Sequence, residues 1–151
     1  MGVCERSGPG YTRAISKEQP EKLVQRNLWP LVDSYLPGAL IADRTALENR
    51  PAADGFVFLI ADHKRDIALP GVTLRPRKGP PPLETDRPFI GSLRLASPAR
   101  AFLENMRPSR ARSGVARTLS RREIEERLDE ILRQSGEPAI QRLRDDARSI
   151  A

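Results

Sequence analysis

The stretch that decides the fold runs Gly55-Phe56-Val57-Phe58-Leu59-Ile60-Ala61-Asp62. Five aromatic, β-branched and aliphatic residues between a glycine and a polar turn read as a strand. The run is unbroken rather than alternating, which predicts burial on both faces. A strand of that kind sits inside a sheet and needs helices to cover it, and the flanking sequence supplies them.

Upstream, Leu23, Val24, Leu28, Leu31, Val32 and Tyr35 recur at helical spacing. Pro20 suits a first helical turn, Pro30 predicts a kink or break inside the pattern, and Pro37-Gly38 ends it. Ala39-Leu40-Ile41 reads as a short apolar link, and Asp43 as the cap of a short helix over 44–48. Downstream, 66–69 and 72–75 read as strands around Pro70-Gly71, and 88–90 and 92–95 as strands around Gly91. The loop Lys78-Gly79-Pro80-Pro81-Pro82 between them has polyproline character. Ser97-Pro98 opens a helix with Phe102, Leu103 and Met106 inward. Ser120-x-x-Glu123 is a capping box, opening a helix that ends at Gly136. Ile140, Leu143, Ala147 and Ile150 share one face of a last helix, so the two form a hairpin. Its apolar stripes, Ile131 and Leu143 among them, pack together or on a neighbouring domain.

The pattern is α+β: N-terminal helices, a central short-stranded sheet of mixed or antiparallel pairing, and a C-terminal helical hairpin. Three segments follow. They are an irregular lead over 1–20, an α+β domain over 21–118, and the hairpin over 119–151.

Composition narrows the chemistry. Among 151 residues there is one cysteine, Cys4, and one histidine, His63. An intrachain disulfide, a cysteine-only zinc site and a His–His metal pair are excluded. The longest apolar run is far too short to cross a bilayer, and the first residues carry no secretory signal, so a cytoplasmic protein without a membrane partner is expected. His63, in Asp62-His63-Lys64-Arg65-Asp66, reads as part of a solvated turn. Gly91-Ser92 lacks the paired aspartates that nucleotidyl transfer needs for its metal ions. Gly8-x-Gly10 has neither a preceding strand nor a third glycine. No catalytic residue, cofactor or metal is therefore assigned, and the lone Trp29 reads as packing.

Charge is the distinctive feature. The formal net charge is +6, with 22 arginines against 4 lysines. Between Glu104 and Glu123 there is no acid, but there are Arg107, Arg110, Arg112, Arg117, Arg121 and Arg122. These six are the candidate partner or nucleic-acid contacts. Guanidinium groups without neighbouring acids suit phosphates and give a salt-dependent affinity. They equally suit pairing with Glu123, Glu125 and Glu126, or with the acidic side chains of a protein partner. Few aromatics lie nearby to stack single-stranded bases.

Several short motifs occur in one order: Gly10-Tyr11-Thr12-Arg13, Arg26-Asn27-Leu28-Trp29, Pro37-Gly38-Ala39 and Asp43-Arg44-Thr45-Ala46-Leu47. Asp54-Gly55-Phe56-Val57-Phe58-Leu59, Leu69-Pro70-Gly71-Val72 and Ala96-Ser97-Pro98-Ala99-Arg100-Ala101 follow. This order resembles the AbiEi-type antitoxins of abortive-infection, type IV toxin–antitoxin systems, in the version found upstream of a Fic domain in some bacterial Fic-family proteins. The resemblance covers roughly residues 8–150. It implies a non-catalytic regulator that recognises a toxin or an adjoining Fic domain and assists DNA binding in transcriptional autoregulation. In that family a winged helix-turn-helix comes first, and a Gly-x-Tyr-Thr-Arg-like stretch ends its wing. A chain starting there is expected to lack the recognition helix, so any nucleic-acid contact would be weak. The alternative the resemblance leaves is the N-terminal portion of a Fic-type adenylyltransferase without its catalytic domain, since the His-Pro-Phe-x-x-Gly-Asn-Gly-Arg loop is missing.

Overall fold

Phe56–Ile60 (β2) lies inside a six-stranded mixed sheet, where its unbroken apolar run belongs. The computed structural model describes residues 19–109 and 114–150. Before β2 come α1 (Pro20–Arg26), α2 (Leu28–Tyr35), β1 (Leu40–Ile41) and α3 (Asp43–Glu48). After it come β3 (Ile67–Leu69), β4 (Val72–Arg77), β5 (Arg87–Pro88) and β6 (Arg94–Leu95). The helices α4 (Pro98–Asn105), α5 (Arg121–Ser135) and α6 (Glu137–Ile150) close the chain. The fold is α+β with a C-terminal helical pair.

Strand order is β3-β4-β2-β1-β6-β5. β2 runs parallel to β4 and β1 parallel to β6, while β1–β2, β3–β4 and β5–β6 are antiparallel. The apolar link expected at 39–41 is in fact the strand β1, at the middle of the sheet. Two residues are too few to show a period. What makes them a strand is pairing on both sides, Leu40 opposite Ile60 on one and Arg94 on the other. Leu40, Ile41, Val57 and Leu59 are 0% exposed. Each such side chain contributes up to about 1.5–3 kcal/mol. Gly55 opens β2 at φ +88°, and an added Cβ would stand 2.5 Å from the Gly71 carbonyl oxygen, so only glycine fits.

Pro30 does not break the first helix. The break falls at Asn27 (φ −115°, ψ 25°), whose side-chain amide donates to the Leu23 carbonyl at 2.9 Å. Pro30 is the third residue of α2, where a backbone N–H has no intrahelical partner to lose. Trp29 meets Phe89 edge-on at 5.2 Å, tying α2 to the end of β5.

A second apolar cluster, Phe102, Leu119 and Ile124, is joined by Leu128, Ile131 and Leu143. The hairpin therefore rests on α4, and Ile131 and Leu143 pack within this chain. Met106, expected inward, is 54% exposed. It is the C-cap residue of α4. No helix among the described residues is long and apolar enough to cross a membrane.

Candidate functional site

The arginine-rich segment meets α3 through Arg117, and Asp43 is where that residue is fastened. Asp43 does not cap α3. It is the first residue of that helix, at φ 54° and fully buried, and Ala42 holds the cap position without a side-chain bond. Its carboxylate meets the end of β4. Arg77 donates to it through Nε and Nη2, both at 3.0 Å, and Arg117 through Nη1 at 3.2 Å. Burial opposes the charge of Arg77, but the Asp43 hydrogen bond and field outweigh it and raise that pKa.

The network continues into α4. The Asp43 N–H donates to Glu104 Oε1 at 3.2 Å, and Arg100 Nε donates to Glu104 Oε2 at 3.1 Å. Arg100 also reaches Asp86 at 2.7 Å and the Pro80 and Pro81 carbonyls at 2.8 and 3.1 Å. The polyproline loop is thus pinned by a buried guanidinium. Burial, and then the charge of Asp43, push the Glu104 carboxyl above its ordinary range.

Arg44 fastens the far end of the segment. Its backbone N–H donates to the Arg117 carbonyl at 3.1 Å, and its Nη1 to the Ala116 carbonyl at 3.2 Å. Its other nitrogens reach Glu48 at 3.0 Å and Glu123 at 3.2 Å. Glu123 also closes the capping box: it accepts from the Ser120 N–H at 3.0 Å while its own N–H donates to Ser120 Oγ. The Ser120 N–H in particular holds the Glu123 carboxyl below its ordinary range.

The six candidate arginines therefore divide. Arg117 pairs with Asp43, a partner far away in sequence. Arg121 and Arg122 pair with Glu125 and Glu126 at 2.9 and 3.1 Å, as their spacing allows. Arg107 is exposed, and no carboxylate among the described residues pairs with it. Arg110 and Arg112 lie outside the described residues. His63 is half-buried in the stretch between β2 and β3. Among the described residues no three His, Cys, Asp or Glu side chains gather as a metal site.

The sequence reading missed Asp43 as an anchor, and with it Arg77, Arg100 and Asp86. The four-residue spacing of Arg44–Glu48 and Arg100–Glu104 was a usable signal. The pairing of Asp43 with Arg77 spans 34 residues and left none.

Between Met106 and the first two turns of α5 opens a cleft of about 790 Å³. Leu119, Ile124 and Leu128 line it, together with Met106, Pro108, Arg121 and Glu125. Compared with protein-family models, curated proteins and solved structures, the chain matches none.

Proposed function

We propose that this chain is a non-catalytic regulatory domain of the AbiEi antitoxin kind that acts by recognising a protein partner, a toxin or an adjoining Fic domain. One observation carries the reading: of the four candidate arginines within the described residues, three already meet carboxylates of their own chain. Glu123, Glu125, Glu126, Asp129 and Glu130 share α5 with Arg121 and Arg122. A duplex laid along α5 would meet a carboxylate for nearly every guanidinium. A protein surface can place single groups between them.

The test pairs two titrations. One is against random-sequence duplex DNA at two salt concentrations. The other is against the purified products of the genes flanking this one. The expected result is negligible DNA affinity at physiological salt and a stable complex with a flanking-gene protein. Tight duplex binding that falls steeply with salt would overturn the reading in favour of phosphate contact.

A further inference from the structure

We propose that Arg117 presents the Nε–Nη2 edge of its guanidinium to a single carboxylate of the protein partner. This rests on the protein-partner reading and names the contact that partner must supply. The edge formed by Nε and Nη2 fits both oxygens of a carboxylate in parallel bonds. Three other arginines fill that edge within the chain. Arg44 gives it to Glu48, at 3.0 and 3.3 Å. Arg75 gives it to Asp66, at 3.1 and 2.7 Å. Arg77 gives it to Asp43, with both bonds at 3.0 Å. Arg117 meets Asp43 through Nη1 alone, at 3.2 Å, and no acceptor among the described residues meets its Nε or Nη2. Arg94 Nε is also without a partner, but it is buried, out of reach of a second molecule.

The open edge is both reachable and held in place. The Arg117 side chain is 34% exposed. Its backbone is fastened on both sides of the side chain's root: Arg44 donates to the Arg117 and Ala116 carbonyls, and the Val115 N–H donates to Asp54 at 2.7 Å. With Asp43 holding Nη1 as well, little side-chain freedom is left to lose on binding. Charge selects the ligand. Asp43 Oδ1 accepts from Arg77 Nη2 and from Arg117 Nη1, so two guanidinium groups share one carboxylate oxygen. Glu104 lies 3.7 Å from Arg77 but is already bonded to Arg100. One carboxylate from outside completes the pairing. A polyanion would also run against Asp43, Glu104 and Asp54, which makes a nucleic-acid occupant the disfavoured outcome.

The test follows the arginine Nε–Hε resonances of the full chain by NMR while acetate, a simple carboxylate, is added. The expected result is a saturable shift at Arg117. It should come at about one tenth or less of the acetate concentration that moves Arg121, whose Nε already meets Glu125. An Arg117 resonance that moves no earlier than that of Arg121 overturns the proposal. Random-sequence duplex DNA that shifts Arg117 at physiological salt also overturns it and assigns the edge to phosphate. In the complex with a flanking-gene protein, Arg117→Gln and Arg117→Lys should each weaken affinity by about tenfold or more, because lysine keeps the charge but not the edge. Arg121→Gln should not. Both Arg117 variants keep the backbone tether to Arg44, and Asp43 keeps both bonds from Arg77, so the fold survives. Melting curves check this, and the acetate titration of the native chain does not depend on it. Affinity that survives Arg117→Gln or Arg117→Lys overturns the contact and leaves the partner reading intact. A saturable acetate shift at Arg117 without any flanking-gene complex would do the reverse.

Discussion

Arg100 in α4 and Arg121 in α5 each pair with a glutamate four residues on, at 3.1 and 2.9 Å. The local grammar is the same, and the surroundings are opposite. The Arg100 side chain is 5% exposed and that of Arg121 94%. Because water cannot reach it, Arg100 needs more acceptors, and it has them in Asp86 and two proline carbonyls. Arg121 has water. Arginine in the central domain is a fastener for loops: Arg94 holds the Leu83 and Asp86 carbonyls, and Arg77 holds Asp43. Arginine in the hairpin solvates a helix face. A high arginine count is therefore weak evidence of nucleic-acid binding in this chain, and the contrast orders what mutations should do.

The largest effect belongs to the buried pair. Asp86→Ala removes the carboxylate 2.7 Å from Arg100 and leaves that buried guanidinium with Glu104 as its one remaining carboxylate among the described residues. It also strips the acceptor from the Leu83 and Ser97 N–H groups. Breaking a buried pair from one side costs about 3–5 kcal/mol. Urea unfolding should show a loss of that size. A loss under about 1 kcal/mol, typical of an exposed pair, would mean water reaches Arg100 and would erase the contrast.

The hairpin begins at a capping box. Ser120→Ala should cost about 1 kcal/mol, the usual worth of a serine N-cap. Glu123 adds a pH signature. Its folded pKa is depressed, so its contribution is present above the ordinary carboxylate value of about 4.3 and is lost as pH falls through the folded value. The variant forfeits part of that contribution. Its deficit should be full at neutral pH and shrink in acid, which unfolding curves at neutral and acidic pH will show.

Glu104, in the buried network, has the opposite sign. Its folded pKa is raised, first by burial and then by Asp43. The folded state holds this proton more tightly than the unfolded chain does. The stabilisation is complete below the ordinary value of about 4.3 and is lost as pH rises through the raised value. Gln at this position cannot titrate. The stability difference between native protein and Glu104→Gln should therefore move in the native protein's favour as pH falls from neutrality. A difference that does not change with pH would mean that the folded chain does not raise the Glu104 carboxyl.

The sequence carried the elements whose cause is local. Phe56–Ile60 announced a buried strand by composition, and the Ser97-Pro98 and Ser120-x-x-Glu123 starts formed as read, because a cap acts within one turn. It did not carry β1, where pairing partners decide the strand, nor the break at Asn27. The same division holds at the site. The Arg121–Glu125 and Arg122–Glu126 pairs lie at a spacing any helix brings together. Asp43 meets Arg77 and Arg117 only after the sheet has formed, so its role is a product of topology. The Arg107-to-Arg122 run looked uniform as text because sequence order does not record which guanidinium finds a carboxylate.

The smallest effect should come from the surface pairs, and it sharpens the comparison most. Arg121→Gln with Arg122→Gln removes two pairs whose arginines are 94% and 89% exposed. Exposed pairs at this helical spacing contribute about 0.3–0.5 kcal/mol each. Both changes also remove positive charge from the N-terminal turn of α5, where the helix dipole disfavours it, and that gain offsets part of the loss. The double variant should therefore unfold within about 0.5 kcal/mol of the native protein, the range of ordinary surface substitutions. Added salt should narrow even that difference, since exposed ion pairs weaken as ionic strength rises. A loss approaching that of Asp86→Ala would show that Arg121 and Arg122 fasten the hairpin after all, and that exposure does not separate the two kinds of arginine.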